Sequence, residues 1–104
     1  MATHLNSENF ETEVLNSDLP VLVDFFATWC GPCQMLSPTI EEIAGEADGF
    51  EVGKVDIDES PELAQKYGIM SVPTLLVIKD GKETARSVGA IPKAQILNMI
   101  NKNK

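Results

Sequence analysis

The hydrophobic positions of this chain fall into two rhythms, and the places where one gives way to the other mark out its elements. A short strand is expected at Thr3 to Leu5, followed by a helix that Ser7 can cap and whose apolar stripe is Phe10, Val14 and Leu15. Pro20 introduces Val21-Leu22-Val23-Asp24-Phe25-Phe26-Ala27, apolar on both faces except for one acid, the pattern of a central strand covered on both sides. From Pro32 to about Ala47, the residues Met35, Leu36, Ile40, Ile43 and Ala44 recur at helical spacing. Pro38 lies inside this run, and because the pattern continues past it a kink is expected there and not a stop.

Phe50 to Ile57 returns to strand character. Ser60-Pro61-Glu62 then supplies a cap, a first-turn proline and an acid for a further helix, which Gly68 is placed to end. Thr74 to Ile78 and Thr84 to Val88 flank Asp80-Gly81, a dipeptide suited to a two-residue hairpin. A last helix from about Pro92 buries Ile96, Leu97 and Ile100. The order β-α-β-α-β-α-β-β-α predicts an α/β fold, a mixed sheet sandwiched by helices. No repeat, low-complexity stretch or linker interrupts it, so residues 1–104 are expected to form a single domain.

Composition adds limits. With 104 residues, 43% of them hydrophobic, the chain is long enough to bury a core without help from metal or disulfide. The formal charge of −8 repels phosphate backbones and anionic bilayers, so neither nucleic acid nor a membrane surface is expected as a partner. The amino end has no basic start followed by an apolar stretch, and the longest apolar run is too short to span a bilayer, so the expected address is the cytosol.

The chemistry that stands out is Trp29-Cys30-Gly31-Pro32-Cys33, which holds both cysteines of the chain where a strand hands over to a helix. Cysteines three apart in a first helical turn have Cα atoms roughly 5 to 6 Å apart, a spacing that lets a disulfide close and open with little backbone movement. A bridge over so short a loop removes little entropy from the unfolded chain, which argues against a purely structural staple. Zinc needs about four ligands, and two cysteines with a remote His4 do not supply them. In a reducing compartment a lone Cys-x-x-Cys points to catalysis or redox sensing.

The attacking species in disulfide exchange is a thiolate, which a helix amino terminus favours through its free N–H groups and dipole. Cys30 lies at that end and is assigned as the nucleophile; Cys33, one turn inside and expected to be buried, is assigned as the resolving cysteine. Gly31 lets a substrate backbone approach, and Pro32 has its φ preset for a first turn. Asp24 is out of place in an apolar strand and costs several kcal/mol there unless paired, hydrogen-bonded or protonated. Two readings stand side by side: a raised pKa and proton exchange with Cys33, or an acid that reaches solvent at a strand end. Lys54 interrupts the next apolar strand and is either the electrostatic partner of Asp24 or a surface lysine. Trp29, Met70, Val72 and Ile91 are candidates for an exposed apolar docking rim, with loop-end packing as the plainer alternative. Pro73 is placed as the first residue of a strand, and His4 reads as a surface or strand-packing residue.

Across essentially the whole chain the sequence resembles the thioredoxin family. The likeness is carried by Trp29-Cys30-Gly31-Pro32-Cys33, Val23-Asp24-Phe25, Lys54-Val55-Asp56, Tyr67-Gly68-Ile69, Val72-Pro73-Thr74-Leu75 and Val88-Gly89-Ala90. It implies a thioredoxin fold with a central mixed sheet of about five strands and four helices, and the roles already given to Cys30 and Cys33. It implies Asp24 and Lys54 as a buried pair tuning proton transfer, a cis Val72-Pro73 bond that sets a backbone edge opposite Cys30, and a groove kept open by Gly89. The implied activity is general protein-disulfide reduction by a monomer with no bound cofactor, the electrons coming from NADPH through a thioredoxin reductase to disulfide-containing target proteins. A disulfide oxidase or isomerase on the same fold, and a non-catalytic binding or holdase module, are the alternatives.

The sequence departs from the family at two places. Phe26 stands where many members have a second tryptophan, and Gln34 follows the motif where a lysine or arginine is common. Trp29 is therefore the only tryptophan. Its fluorescence is expected to change when the cysteines are reduced with dithiothreitol; unchanged emission would mean that Trp29 does not pack near the bridge.

Overall fold

Five strands form one sheet, with the most apolar of them at its centre. In chain order they are β1 (Thr3–Leu5), β2 (Val21–Phe26), β3 (Glu51–Asp56), β4 (Thr74–Lys79) and β5 (Lys82–Val88), in a computed structural model that describes residues 1–104. In space the order is β1-β3-β2-β4-β5. Strands β1 and β2 both run parallel to β3, whereas β4 is antiparallel to β2 and to β5. Helices α1 (Gly31–Gly45), α2 (Pro61–Lys66) and α3 (Lys93–Lys102) and a π-helical segment, Glu11–Leu15, cover it. This is the five-stranded mixed sheet with four helices expected above. No helix is long and apolar enough to cross a membrane.

Alternation along β2 assigns its side chains to two cores. Val21, Val23 and Phe25 join Leu5, Phe10, Val55 and Leu63 on one face. Leu22 joins Leu36, Ile40, Ile43, Leu75 and Ile96 on the face covered by α1 and α3. Both sets are almost fully withdrawn from water, and each such side chain contributes about 1.5–3 kcal/mol through burial. Asp24 shares the parity of Leu22 and so occupies a core position on the α1 side.

Some local expectations are corrected and others hold. The first helical turn is of the wider π type, with the Asn16 N–H bonded to the Glu11 carbonyl at 2.9 Å. It is preceded by an Asn6 turn, not a Ser7 cap: the Asn6 side chain accepts from the Glu8 and Asn9 N–H groups, while Ser7 donates to Glu62. Helix α1 starts at Gly31 and ends at Gly45, and it runs through Pro38. Its buried stripe is Cys33, Leu36, Ile40 and Ile43, which leaves Met35 80% exposed on the opposite side. The hairpin forms at Asp80-Gly81, both with positive φ, as a type I′ turn requires. Strand β5 begins two residues before Thr84, at Lys82, because ladder pairing carries exposed polar residues that no apolar pattern marks.

Gly53 explains how the short edge strand β1 is seated. A Cβ at this position would overlap the Leu5 side chain, which is buried. Gly53→Ala is expected to destabilise the protein by about 1–3 kcal/mol, as overpacking does. A denaturant titration against wild type measures it, and equal midpoints would contradict the close approach.

Candidate active site

Strand β2 ends on the sheet's central axis, and the chain turns there through Ala27, Thr28 and Trp29 into α1. Cys30 is the cap of that helix, in extended conformation with φ −89 and ψ 115. Its Sγ accepts the Cys33 N–H at 3.2 Å and its carbonyl accepts the Gln34 N–H at 3.1 Å. The sulfur is thus held at the positive end of the helix dipole, where negative charge is favoured. Cys30 and Cys33 form a disulfide, with Cα atoms 5.2 Å apart.

Exposure does not separate the two sulfurs as the sequence suggested. Both residues are buried, at 5% and 4% exposure. What separates them is the cavity each one faces. Cys30 lines an open groove of about 420 Å³ together with Trp29, Gly31, Pro32, Met70 and Val72. Its floor and walls also include Ile57, Ile69 and Ser71, and no charged side chain lines it. Cys33 lines a second cavity, of about 230 Å³, with Asp24, Lys54, Ser37, Gln34 and Phe26. The bridge stands between an apolar outer groove and a polar inner pocket.

In the outer groove Trp29 and Met70 are 69% and 96% exposed, and Val72 is half-buried. The Trp29 indole N–H donates to Asp58 Oδ2 at 2.8 Å, which fixes the ring beside Cys30. Asp58 was not foreseen, because its signal is a contact across the fold. The Val72 carbonyl oxygen lies 3.6 Å from Cys30 Sγ. The Val72-Pro73 peptide is cis, and Pro73 is buried directly before β4. Two expected members of this site lie elsewhere. Ile91 is half-buried against the Leu22–Ile40–Leu75 core and does not line the groove. Gly89 does not line it either: a Cβ there would meet nothing within 4 Å, and glycine is required by its φ of 94. Its N–H donates to the Pro73 carbonyl at 2.8 Å, which ties Gly89 to the loop beside Val72.

In the inner pocket Asp24 is 2% exposed, and its Oδ1 has no hydrogen-bond partner. It does not reach solvent at a strand end. Burial raises its pKa from 3.8 to about 7, against a lowering by Lys54 and with a further rise from Glu41. Lys54 is the Cα partner of Asp24 in the β2–β3 ladder, but its ammonium pairs elsewhere. It lies 3.6 Å from Glu41 Oε2, donates to Ser37 Oγ at 3.3 Å and stands 4.9 Å from the centre of the Phe26 ring. The pair expected from sequence is a triad with Glu41 on its outer side. Gln34, at the site of a common family cation, donates to the Thr28 carbonyl at 2.8 Å and closes the turn before Cys30. No group of three or more His, Cys, Asp or Glu side chains is arranged to hold a metal ion. His4, far away in sequence, is the Cα partner of Lys54 on β1, with its ring bonded to Glu59 at 2.7 Å.

A carboxyl group that binds its proton more tightly when folded than when unfolded lowers stability as the pH rises between those two pKa values. For Asp24 this window runs from 3.8 to about 7. Over it, stability falls by about 4 kcal/mol, and the loss stays complete above the window. Asp24→Asn is therefore expected to stabilise the oxidised protein by about 2–4 kcal/mol at pH 8 and to leave it nearly unchanged at pH 4. Denaturant unfolding at the two pH values measures this; an equal gain at both would show that Asp24 is not protonated on folding.

The thioredoxin family model matches residues 1–102. The chain is 50% identical over 97 residues to a thioredoxin of Chlorobaculum thiosulfatiphilum, covering 92% of this chain and 90% of that protein. It is 48% identical over 104 residues to a thioredoxin of Rickettsia bellii, covering 99% of each, and 45% identical over 101 residues to that of Haemophilus influenzae, covering 96% of this chain and 94% of the other. A Cys-Gly-Pro-Cys disulfide at a strand-to-helix junction, in a sheet of this order and in a sequence this similar, makes the chain a member of the thioredoxin family, whose chemistry is thiol–disulfide exchange.

Proposed function

We propose that this oxidoreductase works as a general reductase of protein disulfides, with Cys30 as nucleophile, Cys33 as resolving cysteine and Asp24 as the group that handles the Cys33 proton. One observation carries the reading: the bridge has an apolar groove on the Cys30 side and, on the Cys33 side, a smaller pocket lined by Asp24, Lys54, Ser37 and Gln34. A target segment docks where Trp29 and Met70 offer exposed apolar surface.

In the reduced protein the Cys30 thiolate attacks one sulfur of the target disulfide. That S–S bond breaks, a new one forms to Cys30, and the displaced target thiolate takes a proton from solvent. Cys33 then gives its proton to Asp24 and attacks Cys30 Sγ; the mixed disulfide breaks, and the second target sulfur leaves as a thiolate that takes a proton from solvent. Two electrons have passed to the target, and the Cys30–Cys33 disulfide remains. A pKa of about 7 lets Asp24 accept and return a proton near neutral pH.

The electrons are returned by a thioredoxin reductase drawing on NADPH, with no cofactor held by this chain. We assign its action to the cytosol, where a reducing environment keeps the dithiol form available, and to a monomer.

An insulin-disulfide reduction assay coupled to NADPH and thioredoxin reductase tests the reading. Wild type is expected to turn over, and Cys30→Ser to fall to background. Cys33→Ser is expected to retain target covalently on Cys30, as a mass increase that a reductant removes. Turnover by Cys30→Ser, or an adduct on Cys33 in that variant, would overturn the assignment.

A further inference from the structure

Lys54, which lines the inner pocket, forms an ion pair with Glu41 outside it that the exchange chemistry described above leaves unused. Lys54 Nζ is seated by three groups: Glu41 Oε2 at 3.6 Å, Ser37 Oγ at 3.3 Å and the Phe26 ring at 4.9 Å. Glu41 is itself pinned, because its other oxygen, Oε1, accepts the Ala2 N–H at 3.0 Å. One end of this carboxylate is thus tied to the backbone just before β1, and the other draws on the lysine. Asp24, the cross-strand partner of Lys54, keeps an oxygen with no hydrogen bond.

Few other groups act on Asp24. From α1 it is approached by Cys33 and Glu41, and from β3 by Lys54. Its partner on β4 is Leu75, which carries no charge. His4 stands beyond Lys54 in the same cross-strand row, but its ring is committed to Glu59. The proton affinity of Asp24 is therefore set by burial and by where the Lys54 ammonium rests.

We propose that Glu41 is a positioning residue for the exchange reaction: together with Ser37 it holds the Lys54 ammonium off Asp24, and so governs how readily Asp24 gives up its proton. Two effects of Glu41 act in the same direction. It draws the cation outward, and its own negative charge opposes ionisation of the buried Asp24. The pair is partly exposed, with Lys54 and Glu41 side chains at 20% and 35%, so it also connects the pocket to solvent. The effect on turnover rests on Asp24 serving Cys33, as proposed above; the effect on the Asp24 proton does not.

The test follows the Asp24 side-chain carboxyl carbon by NMR through a pH titration of the oxidised protein. Glu41→Gln keeps the shape and removes the charge, and is expected to lower the Asp24 midpoint by about half to one pH unit. Ser37→Ala, which frees Lys54 from one tether, is expected to move it the same way by less, and Lys54→Met to move it upward. In parallel, resolution of a preformed mixed disulfide at pH 6 should quicken about three- to fivefold in Glu41→Gln, as more Asp24 is ionised. A midpoint that stays in place or rises in Glu41→Gln overturns the proposal, and should that variant fail to fold, Ser37→Ala decides it. A midpoint that falls while the resolution profile stays unchanged upholds the role of Glu41 and overturns the role of Asp24 as acceptor of the Cys33 proton.

Discussion

A carboxyl group buried in the middle of a sheet, with one oxygen unpartnered, is the constraint on which this structure turns. Asp24 takes a position that Leu22 and Leu75 show to be suited to an aliphatic side chain. Ionising it there costs about 4 kcal/mol against a total stability that is commonly about 5–15 kcal/mol. Such a cost is tolerable only because both faces of β2 are otherwise closed by aliphatic and aromatic side chains. In return, the inner sulfur of the bridge has beside it a group that can change protonation state in the neutral range.

The same strand sets the position of the sulfurs. Because β2 is central and hands directly to α1, the first turn of that helix lies over the end of the sheet, with Ala27, Cys30 and Cys33 packed together. The helix start contributes the Cys33 N–H to one sulfur, and the pleat of β2 places Asp24 in the pocket that Cys33 lines. The asymmetry of the bridge thus needs no difference in overall burial. It comes from which cavity each sulfur faces.

The departures from the family pattern are absorbed locally. Gln34 uses its amide to hold the Thr28 carbonyl, so the position contributes to turn geometry and not to charge. Phe26 offers its ring to the Lys54 ammonium, an electrostatic contact that any aromatic face can make. With these contacts and Glu41 in place, the lysine that sequence pairs with Asp24 is held mainly by other groups.

The element order, the Asp80-Gly81 hairpin and the central place of β2 were all legible in the amino-acid order, because each follows from contacts or dihedral preferences within a few residues. So was the chemistry of Cys30 and Cys33, whose spacing alone brings them within bonding distance. Helix boundaries and the Met35 stripe were less legible, since a period of 3.6 leaves neighbouring apolar residues able to fall on either side of the buried face. Only the packed structure decided that Ile91 belongs to the core, that Gly89 is needed for its φ, that Asp58 anchors Trp29 and that Glu41 claims Lys54. Those are contacts between residues distant in the chain or between helix and sheet, and their partners are chosen by the register of strands and the seating of α1, which no local pattern encodes.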